Sequence, residues 1–247
     1  MPHLGLPFLA AVAVALGAVS QAITGFGFSL VSAPFLIAAY RAPGGVQLNL
    51  VLSVAVNVAL LTRERRHADV RSAALLMVPA GVATFAVGAV VRSSQASHGL
   101  HAPHRDPLTI AAGALCLAGA VAVASGIRSH RAAGAVGTAV AGAVSGGMNV
   151  AAGIGGPPVV LFALNARWPP ERSRPTMQVF FLGINVLAMV SLGLPPELPV
   201  GIVVGLAVGV LAGIALVGRI DAGRARTATL AVAAVGGMLA IMRGVLG

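Results

Sequence analysis

Apolar residues occupy the chain in long runs that short polar stretches separate. A run of about 20 apolar residues is what an α-helix needs to cross a bilayer. These runs are continuous and lack the alternating polarity of membrane β-strands, so they predict an all-α polytopic membrane protein. The eight runs cover residues 4–40, 46–62, 73–91, 108–127, 132–165, 176–194, 200–217 and 228–242.

The first and fifth runs are nearly twice as long as one crossing requires, and glycines interrupt both. The first interruption reads Gly25-Phe-Gly-Phe28, and the second reads Gly153-Ile-Gly-Gly156 before Pro157 and Pro158. Glycine is costly in a helix, and proline lacks a donor and clashes with the preceding turn, so each helix should break there. In hydrocarbon, broken backbone is tolerated only where it lines a cavity or is covered by protein. The breaks are therefore predicted to form a binding site.

The two halves of the chain show an internal duplication. An offset of 128 positions superposes the glycine breaks and also aligns Asn57 with Asn185 and Gly81 with Gly209. The pattern predicts two internal repeats, residues 1–127 and 132–247, each a glycine-broken long segment plus three transmembrane helices. Together they would form one transport domain.

Arginine predicts the orientation of the chain, because basic loops stay on the cytoplasmic side. Loops 63–72, 128–131, 166–175 and 219–226 are all basic. They share one side only if run 132–165 folds back as a hairpin at its break, and this reading makes the two repeats inverted. Inverted repeats place a substrate site at the bilayer midplane between two broken helices. A kinked single crossing remains the alternative, because residues 157–165 are too few for a complete return crossing.

Composition supports the membrane assignment. The chain is 57% hydrophobic and 9% charged, with a net charge of +10. All the basic residues other than histidine are arginines between or at the ends of apolar runs, which is typical of topogenic charge. We therefore expect the lipid bilayer, and not nucleic acid, as the partner of these charges.

Few residues offer metal or catalytic chemistry. Cys116, the sole cysteine, lies in an apolar run and is expected to serve packing. The spacing of His98, His101 and His104 with Asp106 would suit a metal on a helix, but the neighbouring glycine and prolines predict a solvated loop. We expect no metal, no cofactor and no catalytic residues, because no nucleophile set or carboxylate pair falls within the apolar runs.

The two breaks, Gly25-Phe-Gly-Phe-Ser-Leu-Val-Ser-Ala-Pro34 and Gly153-Ile-Gly-Gly-Pro-Pro-Val-Val-Leu161, together with the duplication, resemble the sulfite exporter TauE/SafE family of membrane permeases. The resemblance covers essentially the whole chain. It implies a secondary transporter in the cell membrane, and the known or proposed substrates of the family are sulfite and small organosulfonates. Export is the usual direction in the family.

A helix that restarts inside a membrane presents unpaired N–H groups and the positive end of its dipole, which together suit an anion. Hydroxyls near the breaks could add donors, and amides stand out in the apolar background. Interhelical hydrogen bonding is the alternative role of each amide. The predicted substrate-binding residues are Thr24, Gly25, Gly27, Ser29, Asn57, Asn149, Gly153, Gly155, Gly156, Pro157, Gln178 and Asn185, with Ser32 and Asn49 as further polar neighbours.

These observations favour an exporter of small sulfur-containing anions, bound near the midplane between the two breaks. A permease for a carboxylate or a metal ion is the alternative within transport, although the broken segments offer only Met148 as a metal ligand. A membrane-embedded enzyme or receptor is the alternative from another class. The sequence leaves open which anion moves, which ion is coupled and whether the protein is a homo-oligomer.

Overall fold

A computed structural model describes residues 5–98, 106–126 and 134–246 of the chain. Within these ranges the protein is all-helical, with ten α-helices, one short 3-10 helix at Arg65–His67 and no strand. The α-helices are α1 Gly5–Thr24, α2 Phe28–Tyr40, α3 Gly44–Glu64, α4 Val70–His98, α5 Pro107–Ser125, α6 Ala135–Ala152, α7 Gly156–Asn165, α8 Pro170–Leu192, α9 Val200–Leu216 and α10 Ala222–Leu246.

Both predicted breaks are present, between α1 and α2 and between α6 and α7. The largest boundary differences lie at the end of α4 and at the starts of α8 and α10, the last of which begins at Ala222, inside the predicted loop 219–226. The backbone of α4 is helical through His98, so the loop prediction for this residue was wrong, whereas His101 and His104 lie outside the described residues. Helix α8 already begins at Pro170, because proline is well suited to a first turn, and Arg174 is therefore helical and not part of a loop.

The chain reverses direction at each break. A Cβ atom on Gly17 of α1 would lie 2.8 Å from the carbonyl oxygen of Phe28, the first residue of α2. In a continuous helix these two residues would be about 16 Å apart along the axis. At the second break the hydroxyl of Ser145 in α6 donates to the carbonyl of Gly155. The broken segments are thus hairpins at these points, and the kinked single crossing that the sequence left open is wrong for this structure.

The most extensive helix contacts are those of α5 with α10, α4 with α6 and α1 with α9, followed by those of α1 with α2, α3 with α8 and α4 with α8. Glycines allow the closest approaches, as small residues do in membrane proteins. A Cβ on Gly146 of α6 would collide with the carbonyl of Ala80 in α4, and a Cβ on Gly209 of α9 would collide with that of Ala15 in α1. Gly209 thus allows α9 to pack closely on α1.

The outer surface of the bundle is apolar. Apolar side chains such as Val78, Val190 and Val208 are more than half exposed. A contiguous apolar surface of this kind marks a membrane-facing protein. Seven helices in the described part are long and apolar enough to cross a bilayer, namely α1, α3, α4, α5, α6, α8 and α10.

At one end of the bundle, the connection before α4 is tied to the start of α8. Arg172 forms an ion pair with Asp69 at 2.6 Å and stacks over the ring of Trp168 at 4.8 Å. The backbone N–H of Ser72 donates to the Asp69 carboxylate, and this bond, with help from Arg172, holds the pKa of Asp69 below its usual value. Residues 65–72 and 168–176 therefore lie on the same face of the protein.

Candidate functional site

The two helix breaks meet at one central cavity in the middle of the bundle. About 20 Å³ of it is accessible to the centres of water molecules, so the cavity has room for about one water. Helices α3 and α8 complete its wall. The lining residues are Gln21, Phe26, Gly27, Phe28, Ser29, Leu30, Ser53, Asn57, Asn149, Gly155, Gly156, Pro157, Phe181 and Asn185.

The glycines at the breaks serve two different needs. Gly25 and Gly153, which the offset of 128 aligns, both have left-handed backbones with φ of +82° and +71°. Gly27 is also left-handed, with φ of +112°, but its counterpart Gly155 has φ of −90°. Gly155 instead lies in a crowded place, because a Cβ there would collide with Cδ1 of Ile184 and force that buried side chain to shift. Gly156 is less crowded, since the nearest atom would be Cζ of Phe181 at 3.9 Å.

Gln21 of α1 organises the polar side of the cavity. Its Oε1 accepts the first free N–H of α2, that of Phe28, at 3.0 Å. This fixes the orientation of the amide, so Nε2 donates to Oδ1 of Asn57 at 2.8 Å and to Oε1 of Gln178 at 3.1 Å. The Nδ2 donors of Asn57 are consequently turned away from Gln21, and they have no partner among the described residues.

A second amide pair lies across the cavity. Nδ2 of Asn149 in α6 donates to Oδ1 of Asn185 in α8 at 3.0 Å, and a longer contact of 3.4 Å reaches the carbonyl of Ile184. Nδ2 of Asn185 is left without a partner in the described part of the chain, and so is Oδ1 of Asn149. The offset of 128 places Gln21 on Asn149 and Asn57 on Asn185. The two hydrogen-bonded pairs are therefore counterparts.

The first turns of α2 and α7 supply further hydrogen-bond donors to the cavity, and α2 supplies more of them than α7. In α2 the N–H of Phe28 is used by Gln21, which leaves those of Ser29 and Leu30 at the cavity wall. In α7 the prolines at positions 157 and 158 have no N–H, so its first turn offers fewer donors than a restarted helix normally would. The hydroxyl of Ser29 shares a hydrogen bond of 3.0 Å with Ser53 of α3.

Four of the predicted site residues lie outside the central cavity. Thr24 caps its own break, donating to the carbonyl of Ser20 at 2.9 Å. Gly153 is covered by Asn49, whose Nδ2 donates to the Gly153 carbonyl at 2.9 Å. Gly25 and Gln178 line a different cavity, which is larger than the central one.

The hydroxyl of Ser32 is also used in hydrogen bonds within the protein. It donates to Oδ1 of Asn49 and to the carbonyl of Phe28, and it is fully buried. It therefore does not supply a free donor to the central cavity.

Charge is missing from the central cavity. Within the described ranges, its polar lining consists of amides, hydroxyls and backbone N–H groups, and no carboxylate, guanidinium or imidazole reaches it. The same ranges contain no group of three or more His, Cys, Asp and Glu side chains placed to hold a metal ion. Free amide donors combined with helix N-termini and no anionic side chain suit a small anion.

Sequence reasoning did not select Gln21, Ser53 or Phe181. The signal for Gln21 was present, because the same offset that aligned the asparagines aligns it with Asn149. Ser53 and Phe181 lie on α3 and α8, one helical turn from Asn57 and Asn185, so they share a helix face with those asparagines.

Comparison with protein families gives one match. The family model described as sulfite exporter TauE/SafE matches residues 9–240. A comparison with curated proteins and a comparison with solved structures each gave no significant match.

Proposed function

Because its match spans residues 9–240, the chain belongs to the sulfite exporter TauE/SafE family, and we propose that it is a secondary transporter that exports sulfite or small organosulfonates. Family membership and the seven apolar helices make it a multi-pass membrane protein. The plasma membrane is the proposed location, since an exporter must lie in the membrane that separates the cytoplasm from the outside.

The observation that carries the proposal is the meeting of both helix breaks at one uncharged, donor-rich cavity. A sulfonate or sulfite presents three oxygens, each of which accepts hydrogen bonds. The unpartnered Nδ2 donors of Asn57 and Asn185, with the first-turn N–H groups of Ser29 and Gly156, would approach such an anion from both repeats. Neutral donors hold an anion less tightly than buried arginines would, which suits a carrier that must also release it.

The proposal includes alternating access by two inverted repeats. Two features of the fold support it. Each half of the chain is a hairpin followed by three helices, and exchanging α1–α5 with α6–α10 turns the α1–α9 pair into α6–α4 and leaves the α3–α8 and α5–α10 pairs as they are. The closed central cavity would open to each side in turn as one repeat rocks against the other.

Transport assays in proteoliposomes test the substrate class. We expect saturable efflux of sulfite and sulfoacetate, and much slower movement of taurine, because its ammonium group would find no carboxylate in the central cavity. Malonate is the matched control for sulfoacetate, since it replaces the sulfonate by a carboxylate. Malonate moving as fast as sulfoacetate would favour the carboxylate permease, and absence of any flux of the sulfur anions would refute the proposal.

The topology prediction can be tested with single cysteines in a Cys116→Ala background. Arg66→Cys and Glu171→Cys are both exposed positions at the end of the bundle where Arg172 meets Asp69. We expect a membrane-impermeant thiol reagent to label both only after cells are permeabilised, because the basic loops are cytoplasmic. Glu197→Cys, between α8 and α9, is the control that should react in intact cells. Labelling of positions 66 and 171 from opposite sides would refute the inverted-repeat topology.

A further inference from the structure

A second cavity adjoins the central one at the proposed cytoplasmic end of the bundle. It has about 60 Å³ open to the centres of water molecules, three times that of the central cavity. Its walls include Gln21, Gly25, Arg63, Arg174 and Gln178. Gln21 lines both cavities, so its side chain and the hydrogen bond of 3.1 Å to Gln178 are what separate them. We call this second cavity the vestibule.

Two arginines give the vestibule its charge. Arg63 lies near the end of α3, and Arg174 lies in the first turns of α8. Neither forms an ion pair or hydrogen bond with any residue that the structure describes, whereas Arg41 and Arg172 are both paired with carboxylates. The stem of Arg174 packs on the first break, since a Cβ on Gly25 would lie 2.6 Å from its Cγ. Positive charge that lines a cavity raises the local concentration of anions.

Gln178 adds a directed donor. It is only 3% exposed, and its Oε1 is held by Gln21, whose own orientation is fixed by the Phe28 N–H. Its Nε2 therefore has no partner within the described part of the chain, although the side chain lines the vestibule. This donor is therefore available to a ligand or water in the vestibule.

The opposite end of the site is built differently. Gly153, the counterpart of Gly25, is covered by the neutral side chain of Asn49, which binds its carbonyl. Arg92 is occupied by the carbonyl and hydroxyl of Ser191, and Arg41 pairs with Asp106. The vestibule, which shares Gln21 with the central cavity, thus holds two arginines without a partner among the described residues.

We propose that the vestibule is a second oxyanion site, in which Arg63, Arg174 and Gln178 bind the anion before it reaches the central cavity. The hydrogen bond between Gln21 and Gln178 is the inner gate between the two sites. An oxyanion bound at Nε2 of Gln178 draws this amide toward the vestibule and weakens its contact with Gln21. This inference rests on the proposed function, because it takes the central cavity as the transport site and the basic end as cytoplasmic.

The test compares charge-matched double variants in oriented proteoliposomes, with sulfoacetate as the probe. For Arg63→Gln/Arg174→Gln we expect the half-saturating concentration on the vestibule side to rise about tenfold, while the value on the opposite side stays unchanged. Arg63→Lys/Arg174→Lys should restore most of the affinity, because it keeps both charges. The control Arg65→Gln/Arg66→Gln removes two exposed arginines of the same region and should change the value less than about twofold.

Equilibrium binding of radiolabelled sulfoacetate to the detergent-purified proteins separates this inference from the proposed function. If wild type transports and the Arg63→Gln/Arg174→Gln protein keeps the wild-type half-saturation, the vestibule site is refuted and the function stands. If wild type binds sulfoacetate without transporting it, the function is refuted, and loss of that binding in the double variant still supports the vestibule. An equal effect of the Arg65→Gln/Arg66→Gln control would also overturn the inference, since the effect would then be one of general surface charge.

Discussion

Replacement of Gly155 by leucine should abolish anion transport while the protein still inserts into the membrane. A Cβ at this position would collide with Ile184 and would lie 3.2 Å from Oδ1 of Asn149 and from Oγ of Ser145. The rest of the leucine side chain must then enter a cavity with room for about one water or displace the Asn149–Asn185 pair. Either outcome removes the proposed anion site. Sulfite efflux from proteoliposomes, measured with the purified variant, checks this prediction.

Gly147→Leu is the matched control. Gly147 lies on the neighbouring helix α6, but a Cβ there would meet only Cγ2 of Val87 at the ordinary contact distance of 3.4 Å. This variant should transport at a rate close to that of wild type. Both variants should elute as single peaks in size-exclusion chromatography, which shows that folding is retained. Normal efflux by a well-folded Gly155→Leu protein would mean that the break is structural and not a binding site.

The two helix breaks that form this site could be predicted from the sequence, because glycine and proline act on the local backbone. A glycine or proline within an apolar run breaks a helix wherever the run lies, so both breaks were located correctly. Repeat offsets then related Asn57 to Asn185 before any contact was known. Hydropathy could not decide between a hairpin and a kink, because the direction of the chain after the break depends on which helix surfaces pack against each other. The contact of Ser145 with Gly155 supplies the answer.

Side-chain direction was the part that sequence could not supply. Thr24, Gln178 and Ser32 are polar residues near the breaks, just like Ser29 and Asn149. Yet Thr24 donates to a backbone carbonyl, Gln178 lines the vestibule and Ser32 donates to Asn49. Which of two nearby polar groups faces a cavity depends on the hydrogen bonds that its neighbours require. The N–H of Phe28 needs an acceptor, and this requirement orients Gln21 and then Asn57.

Transport of a fully ionised sulfonate should follow the membrane potential and should respond little to a pH gradient. No acidic or histidine side chain among the described residues lines the central cavity or the vestibule. Asp69, Asp106, Glu171, Glu197 and Asp221 lie instead between helices or at helix starts. A proton-coupled carrier commonly holds a titrating group inside the membrane, where its cost is accepted for function. The described part of this chain offers no such group along the proposed route.

The potential alone is sufficient to drive export. An anion that leaves a compartment at −100 mV gains about 2.3 kcal/mol per charge, which corresponds to an outward concentration ratio of about 50-fold. In proteoliposomes, a potassium diffusion potential that makes the lumen negative should accelerate sulfonate efflux, and the opposite potential should slow it. A pH gradient imposed with the potential clamped at zero is the control and should leave the rate nearly unchanged. Strong pH-driven flux of the ionised sulfonate, lost on replacement of a single residue, would contradict this prediction and identify that residue as a proton carrier.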